Sequence, residues 1–234
     1  MKKVLFLILI AIMSVNLTAQ SESTPNTPKK ASAVEPANTK AVQIIELPKP
    51  SATRKCDIMK AMTDRKSTRT MKTKYLNLQD LSDILWAAKG INRPGTDKMT
   101  TATARNSHDI DVYLCRPEGV YIYSNEKHIL ELYSEQDIIR MLDGERISGA
   151  RDILLIVADM SKYKDYDPKG DNKHFYEMGA VDAGIVSQSI SLMCAAANIA
   201  TVPRARMMND DIHRLLGFGE TQVLWLNHPL GYFE

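Results

Sequence analysis

Cysteine is scarce. Cys56, Cys115 and Cys194 are the only three in 234 residues. An odd number without CxxC spacing excludes a disulfide framework and a cysteine-built zinc site, leaving room for one pair in an oxidising compartment. Cys194, flanked by Ala195, Ala196 and Ala197, reads as a small buried thiol. Common catalytic signatures are also missing: no HExxH, GxSxG, GxxxxGK[ST] or GxGxxG occurs. His108, His128, His174, His213 and His228 are scattered, none with a second ligand at helical spacing, so no metal site is expected. Net charge is nearly absent, 30 basic against 28 acidic side chains, or +2. A chain this close to neutral lacks the broad basic field that a nucleic-acid partner requires. The apolar run Val4 to Met13 falls short of the ~20 residues that span a bilayer.

Residues 1–19, "MKKVLFLILIAIMSVNLTA", have the layout of a secretory signal peptide: Lys2 and Lys3, an apolar run, then small polar residues, with cleavage expected after Ala19. No cysteine follows the run, which argues against a lipoprotein. Removing this segment takes away two lysines and no acid, so the mature charge falls to 0. Residues 20–50 are rich in Ser, Thr, Pro, Ala and Lys, with prolines at 25, 28, 36, 48 and 50, the composition of a disordered tether. One folded domain is expected over 51–234, in an exported protein of the periplasm or beyond. With 44% apolar and 25% charged residues, the chain has material for an ordinary core.

Within that domain, Ile58, Met59 and Met62 mark a short helix stopping before Arg65. Leu78, Leu81, Ile84, Leu85 and Ala88 recur at helical spacing, with Asn77 placed to cap and Gly90 to end the helix. Ile110 to Leu114 and "VYIY" flank the turn "RPEG" as a hairpin. Ser134 to Leu142 reads as a helix capped by Ser134. "ILLIVA" at 153–158 suits a strand buried on both faces. His174 to Asn198 is the longest helical stretch, loaded with Gly, Ala and Ser, which lets another backbone approach closely. Asn209 is placed to cap a last helix ending at Gly217, with Asp210 and Asp211 as favourable first-turn charges, and "QVLWLN" reads as a final strand. Helices and strands interleave without strict βαβ alternation, giving an α+β class.

The chemistry concentrates in "DRKSTRTM", Asp64 to Met71, with three cations and three hydroxyls in eight residues. Arg offers a bidentate fork to phosphate, Lys a point charge and Ser a hydroxyl. Local sequence alone leaves a solvated basic turn equally open.

Arg65-Lys66-Ser67-Thr68-Arg69 resembles the R-[RKH]-S-x-[RK] opening of the FMN-dependent nitroreductase family. "LSDILWAAKGIN" (81–92) is similar to that family's second helix, and "TATARNSHDIDVYL" (101–114) to its P-S-A-x-N-x-Q loop and following strand. "GAVDAGIVSQSISLMCAAANIATVP" (179–203) resembles its central helix, and "LLGFGETQVLWLNHPLGY" (215–232) its closing strand. The resemblance implies a homodimer with an antiparallel or mixed central sheet flanked by helices, and one FMN at each end of the interface. By the same resemblance, Arg65, Lys66, Ser67 and Arg69 would hold the FMN phosphate and ribityl chain. Thr103, Ala104, Arg105 and Asn106 would come from the other subunit to line the ring, and Ala205 and Arg206 would offer a backbone N–H near flavin N5. The implied activity passes hydride or electrons from a small-molecule donor to a nitroaromatic, quinone-like or other conjugated acceptor. The alternative is a secreted, non-catalytic flavin- or anion-binding protein on the same scaffold. Three departures stand out: Ala102-Thr103 replaces the loop's Pro-Ser, Arg206 replaces a common Gly, and the sequence stops at Glu234 before the Lys/Arg pair of many members. Residues 65–69 are therefore expected to hold the phosphate with less help. An exported protein would meet no cytosolic NAD(P)H, so a different donor or a membrane-associated electron partner is expected.

Overall fold

The computed structural model describes residues 43–51, 53–143 and 148–234. The signal-peptide reading and residues 20–42 of the expected tether lie outside the described residues. The tether's far end does not match expectation: Ile44–Glu46 forms strand β1, paired antiparallel with Ile129–Ser134 (β4). The fold therefore begins before residue 51. Two prolines a few residues on hid a strand whose only support is a distant partner.

Among the described residues, seven strands form one sheet in the order β1-β4-β3-β2-β5-β7-β6, with β2 Ile110–Arg116, β3 Gly119–Ser124, β5 Asp152–Asp159, β6 Ile199–Thr201 and β7 Gln222–Tyr232. Every strand pairing is antiparallel. β5 shows why its sequence is continuously apolar. Leu154, Ile156 and Ala158 join one core cluster, and Ile153, Leu155 and Val157 join a second on the opposite face. The first cluster packs under α2 (Leu78–Lys89) and the long α4 (Lys173–Ala196), the second under α3 (Ile139–Asp143) and α5 (Asn209–Leu216). Each fully buried Leu or Ile there contributes about 1.5–3 kcal/mol relative to exposure. Cys115 belongs to one cluster and Cys194 to the other, so the sheet separates them, and all three thiols are free.

α1 (Ile58–Asp64) and α2 begin and end as the residues suggest, with Asp57 and Asn77 as caps. Two helix starts differ. Ser134 closes β4 rather than capping a helix, and α3 starts only at Ile139, whose N–H donates to Asp137 Oδ1 at 3.0 Å. Asn209 is the first residue of α5, and Met208 precedes it with no side-chain cap. β7 runs on past "QVLWLN" through Tyr232, taking in Pro229 just where pairing with β6 has ended.

Candidate functional site

The cationic segment is placed by the edge of the sheet. At Arg65 the backbone leaves helical geometry (φ −59°, ψ 117°), and the chain runs on irregularly. Thr68 N–H donates to Thr201 O at 2.9 Å, so this stretch covers the otherwise free edge of β6. Met71 N–H to Ser148 O and Lys72 N–H to Tyr232 O, both 2.9 Å, continue the attachment. Gly149 permits it: with φ +85°, a Cβ there would stand 2.4 Å from Met71 O.

Arg65 is half-buried, while Lys66, Ser67 and Arg69 are exposed. No carboxylate among the described residues pairs with Arg65, Lys66 or Arg69, and Asp64 is taken by Lys60 at 2.6 Å. Lys66 Nζ lies 5.1 Å over the Phe233 ring, a cation–π contact worth about 0.5–1 kcal/mol at an exposed site. Lys66 also lines a cavity of 420 Å³ with Asp64, Ser191, Asn198, Thr201 and Phe233. Beneath it, buried His228 accepts or donates through Nε2 to Ser187 Oγ (2.7 Å) and through Nδ1 to Thr201 Oγ1 (3.2 Å), and burial lowers its pKa to about 3.

Two residues beyond Thr201, the 203–206 loop is held by Arg204, whose role sequence reasoning missed. Its backbone exchanges hydrogen bonds with Asn227 (2.9 and 2.7 Å), and its guanidinium pairs with buried Asp143 and donates to Leu142 O at 2.6 Å. Ala205 and Arg206 follow this anchor and are exposed. The cationic segment and this loop are thus brought together through β6.

Thr103 to Asn106 lie elsewhere. Ala104–Asn106 is a single tight turn, with Arg105, Asn106 and His108 at positive φ (55°, 56° and 54°). Two buried carboxylates underpin it. Ala104 N–H donates to Asp182 Oδ2 at 2.6 Å, and Thr103 and Ser107 hydroxyls donate to Asp109 Oδ1 at 3.2 and 3.0 Å. Burial first, then the neighbouring Asp109, push the Asp182 carboxyl up to about 6 against the opposing Ala104 N–H. Asp109 Oδ2 is buried and has no hydrogen-bond partner among the described residues. At the tip, Arg105 pairs with Asp165 and lies over the Phe175 ring. Asn106 accepts from Lys98 at 2.6 Å and donates to Asp97 at 3.0 Å, and that donation, then the Lys98 ammonium beside Asp97, hold the Asp97 carboxyl down at about 2. Neither Asp109 nor Asp182 was singled out from sequence. The available signal was an acid in the small, apolar face of α4, a position rarely acidic unless paired.

The Thr103–Asn106 turn and the Lys66 cavity lie at different points along α4. Asp182, at the Thr103–Asn106 turn, and Ser191, at the Lys66 cavity, are nine residues apart on α4, roughly 14 Å along its axis. Beside and between them α4 presents Val181 (62% exposed), Gly184 and Ile185 (36%) outward.

An antiparallel sheet between helical layers, a cationic segment on its edge and a small-residue central helix define an α+β scaffold with a run of cations at one sheet edge. The profile of the Nitroreductase family matches residues 62–232, and the chain belongs to that family. The "Putative nitroreductase MJ1384" of Methanocaldococcus jannaschii is 25% identical over 179 residues, 71% of this chain and 86% of that protein. A crystal structure of a "putative nitroreductase" from Ralstonia eutropha superposes with a TM-score of 0.75 at 29% identity, covering 82% of this chain and 90% of that one. Nitroreductase A of Vibrio parahaemolyticus shares the fold at TM-score 0.56 and 15% identity, covering 76% of this chain and 67% of that one. Membership makes oxidoreductase chemistry of the flavin type the general class of function.

Proposed function

We propose that the protein is an FMN-dependent oxidoreductase acting as a homodimer on a nitroaromatic, quinone-like or other conjugated acceptor. The observation that carries this reading is the set of uncompensated donors Arg65, Ser67 and Arg69 fixed on the β6 edge beside the exposed Ala205–Arg206 loop. These residues fit a phosphate: two guanidinium forks and a hydroxyl leave anionic oxygens with charge-assisted donors and no competing carboxylate. Lys66 adds a positive charge to the same segment. Bound FMN would supply the hydride and electron transfer.

The chain's own residues do the rest. Arg65, Lys66, Ser67 and Arg69 bind the phosphate and ribityl end. The backbone of Ala205 and Arg206, held by Arg204, offers N–H groups to the ring. Thr103, Ala104, Arg105 and Asn106 of a second copy complete the wall, as the resemblance to the family implies. Arg206 puts a positive charge at the mouth, which favours acceptors presenting nitro or carbonyl oxygens.

Export through the leader remains part of the proposal. The physiological donor is then something other than cytosolic NAD(P)H, such as a membrane-associated electron carrier. Fractionation of native cells checks this, and a cytosolic location with efficient NADPH turnover would defeat it.

The absorption spectrum of the folded protein with FMN and a reductant tests the core of the reading. A flavin band that bleaches on reduction is expected. Protein that neither turns yellow nor gains thermal stability with FMN would end the proposal. Arg65→Ala removes a charge-assisted contact worth about 1.5–3 kcal/mol, so FMN affinity should fall roughly tenfold to a hundredfold while riboflavin affinity holds. Bound flavin that no donor reduces would favour the non-catalytic alternative, in which Arg206 closes the pocket.

A further inference from the structure

The basic character of the segment does not stop at Arg69. Lys72 and Lys74 follow, both exposed, and neither pairs with a carboxylate among the described residues. They line a cavity of 310 Å³ together with Asn198, Tyr232 and Phe233. Asn198 and Phe233 also line the 420 Å³ cavity that holds Lys66. The two spaces therefore adjoin across a shared wall, with three ammonium groups around them. Two of these are seated on aromatic rings: Lys66 Nζ 5.1 Å over Phe233, and Lys74 Nζ 5.3 Å over Tyr232. The Lys72 backbone is fixed by its N–H to Tyr232 O. The one acid in either wall, Asp64, is neutralised by Lys60.

The hydroxyls in the wall do not compete as donors. Thr63 Oγ1 donates to Met59 O at 2.8 Å, and Ser191 Oγ to Ser187 O at 2.9 Å. Thr201 Oγ1 is engaged with His228. The groups left facing the space are cationic, joined by the Asn198 side chain. Arg65, Ser67 and Arg69 line neither cavity, so the segment offers its cations to two different spaces.

We propose that Lys72 and Lys74, with Asn198 and with Lys66 shared from the flavin-phosphate segment, form a subsite for a multiply charged phosphate-class anion beside the Arg65–Ser67–Arg69 set. Three uncompensated ammonium groups suit a ligand with more than one negative charge, and lysine recognises phosphate as a point charge. The ligand is a phosphorylated small molecule other than the flavin, whose own phosphate is assigned to the Arg65–Ser67–Arg69 set. The subsite does not depend on flavin binding for its existence.

Isothermal titration of the full chain with inorganic pyrophosphate, with and without FMN, provides the test, alongside the double variant Lys72→Ala/Lys74→Ala. Both side chains are exposed, so the variant should melt as the wild type does. The charge-keeping Lys72→Arg/Lys74→Arg variant controls for folding. Pyrophosphate binding that weakens by about tenfold or more in the alanine variant, survives in the arginine variant and falls with added salt supports the subsite. If FMN affinity is unchanged in the alanine variant, the ligand is a separate molecule. If FMN loses affinity and riboflavin does not, the lysines belong to the flavin-phosphate site and the separate subsite is overturned. Pyrophosphate that fails to bind the wild type, or binds both proteins within about twofold, together with unchanged FMN affinity, overturns the proposal. Wild type that binds pyrophosphate but no flavin would leave the subsite standing and remove the redox reading instead.

Discussion

Asp182 and His228 act on the pH dependence of stability with opposite signs. The Asp182 carboxyl is raised to about 6 by burial and by Asp109. Between its unfolded value near 4 and that value, the folded state binds more protons, so its contribution is lost as pH rises through this window. His228 is lowered by burial to about 3. Below about 6.5 the unfolded state binds more protons, so its contribution is lost as pH falls. Between roughly pH 4 and 6 the two slopes, each up to about 1.4 kcal/mol per unit, cancel. Asp182→Asn keeps an acceptor for Ala104 N–H while removing one slope. The variant should be as stable as wild type or more so at pH 7–8, yet lose stability more steeply on acidification from pH 6 to 4. Thermal melts across that range decide it, and parallel curves for both proteins would show that Asp182 does not titrate there.

At the level of elements, α2 carries the clearest local signal. Asn77 Oδ1 accepts from Asp80 N–H at 2.8 Å, and its amide donates to Asp80 and, at 3.0 Å, to the Tyr232 hydroxyl, tying the helix start to the end of β7. Asn77→Ala should cost about 1 kcal/mol, with a lower denaturation midpoint and unchanged m-value. This helix, the β2–β3 hairpin, β5 and α4 were legible because period and caps are local properties. β1 and β4 were not. β4 is half-exposed at several positions and is defined by pairing with β1 and β3, far away in sequence. The site divides the same way. Arg65 to Arg69 could be read as a contiguous run, and the resemblance pointed to Thr103–Asn106 and to Ala205–Arg206. The groups that hold these loops, Asp109, Asp182 and Arg204, come from other elements, so no local pattern marks them.

At the level of the whole molecule, five of the ten large apolar side chains exposed among the described residues lie on two helices that pack together. Ile58, Met59 and Met62 of α1 and Val181 and Ile185 of α4 are exposed, and α1 packs on α4. An added Cβ at Gly184 meets nothing within 4 Å, leaving the helix open to a close neighbour. If a second copy covers this face, Val181→Asp/Ile185→Asp should yield a monomer in sedimentation and lower FMN affinity by about tenfold or more, because each flavin site would lose its second wall. Wild type that binds FMN as a monomer would contradict the shared-site arrangement.

The order of the strands has a consequence for orientation. β1 is the strand at one edge of the sheet, and the cationic segment covers β6 at the other. Six inter-strand spacings of ~4.8 Å separate them, roughly 29 Å. Whatever precedes Gln43 enters the domain on the β1 side. Gln43, the first described residue of the domain, and the cationic segment therefore stand at opposite edges, a full sheet-width apart.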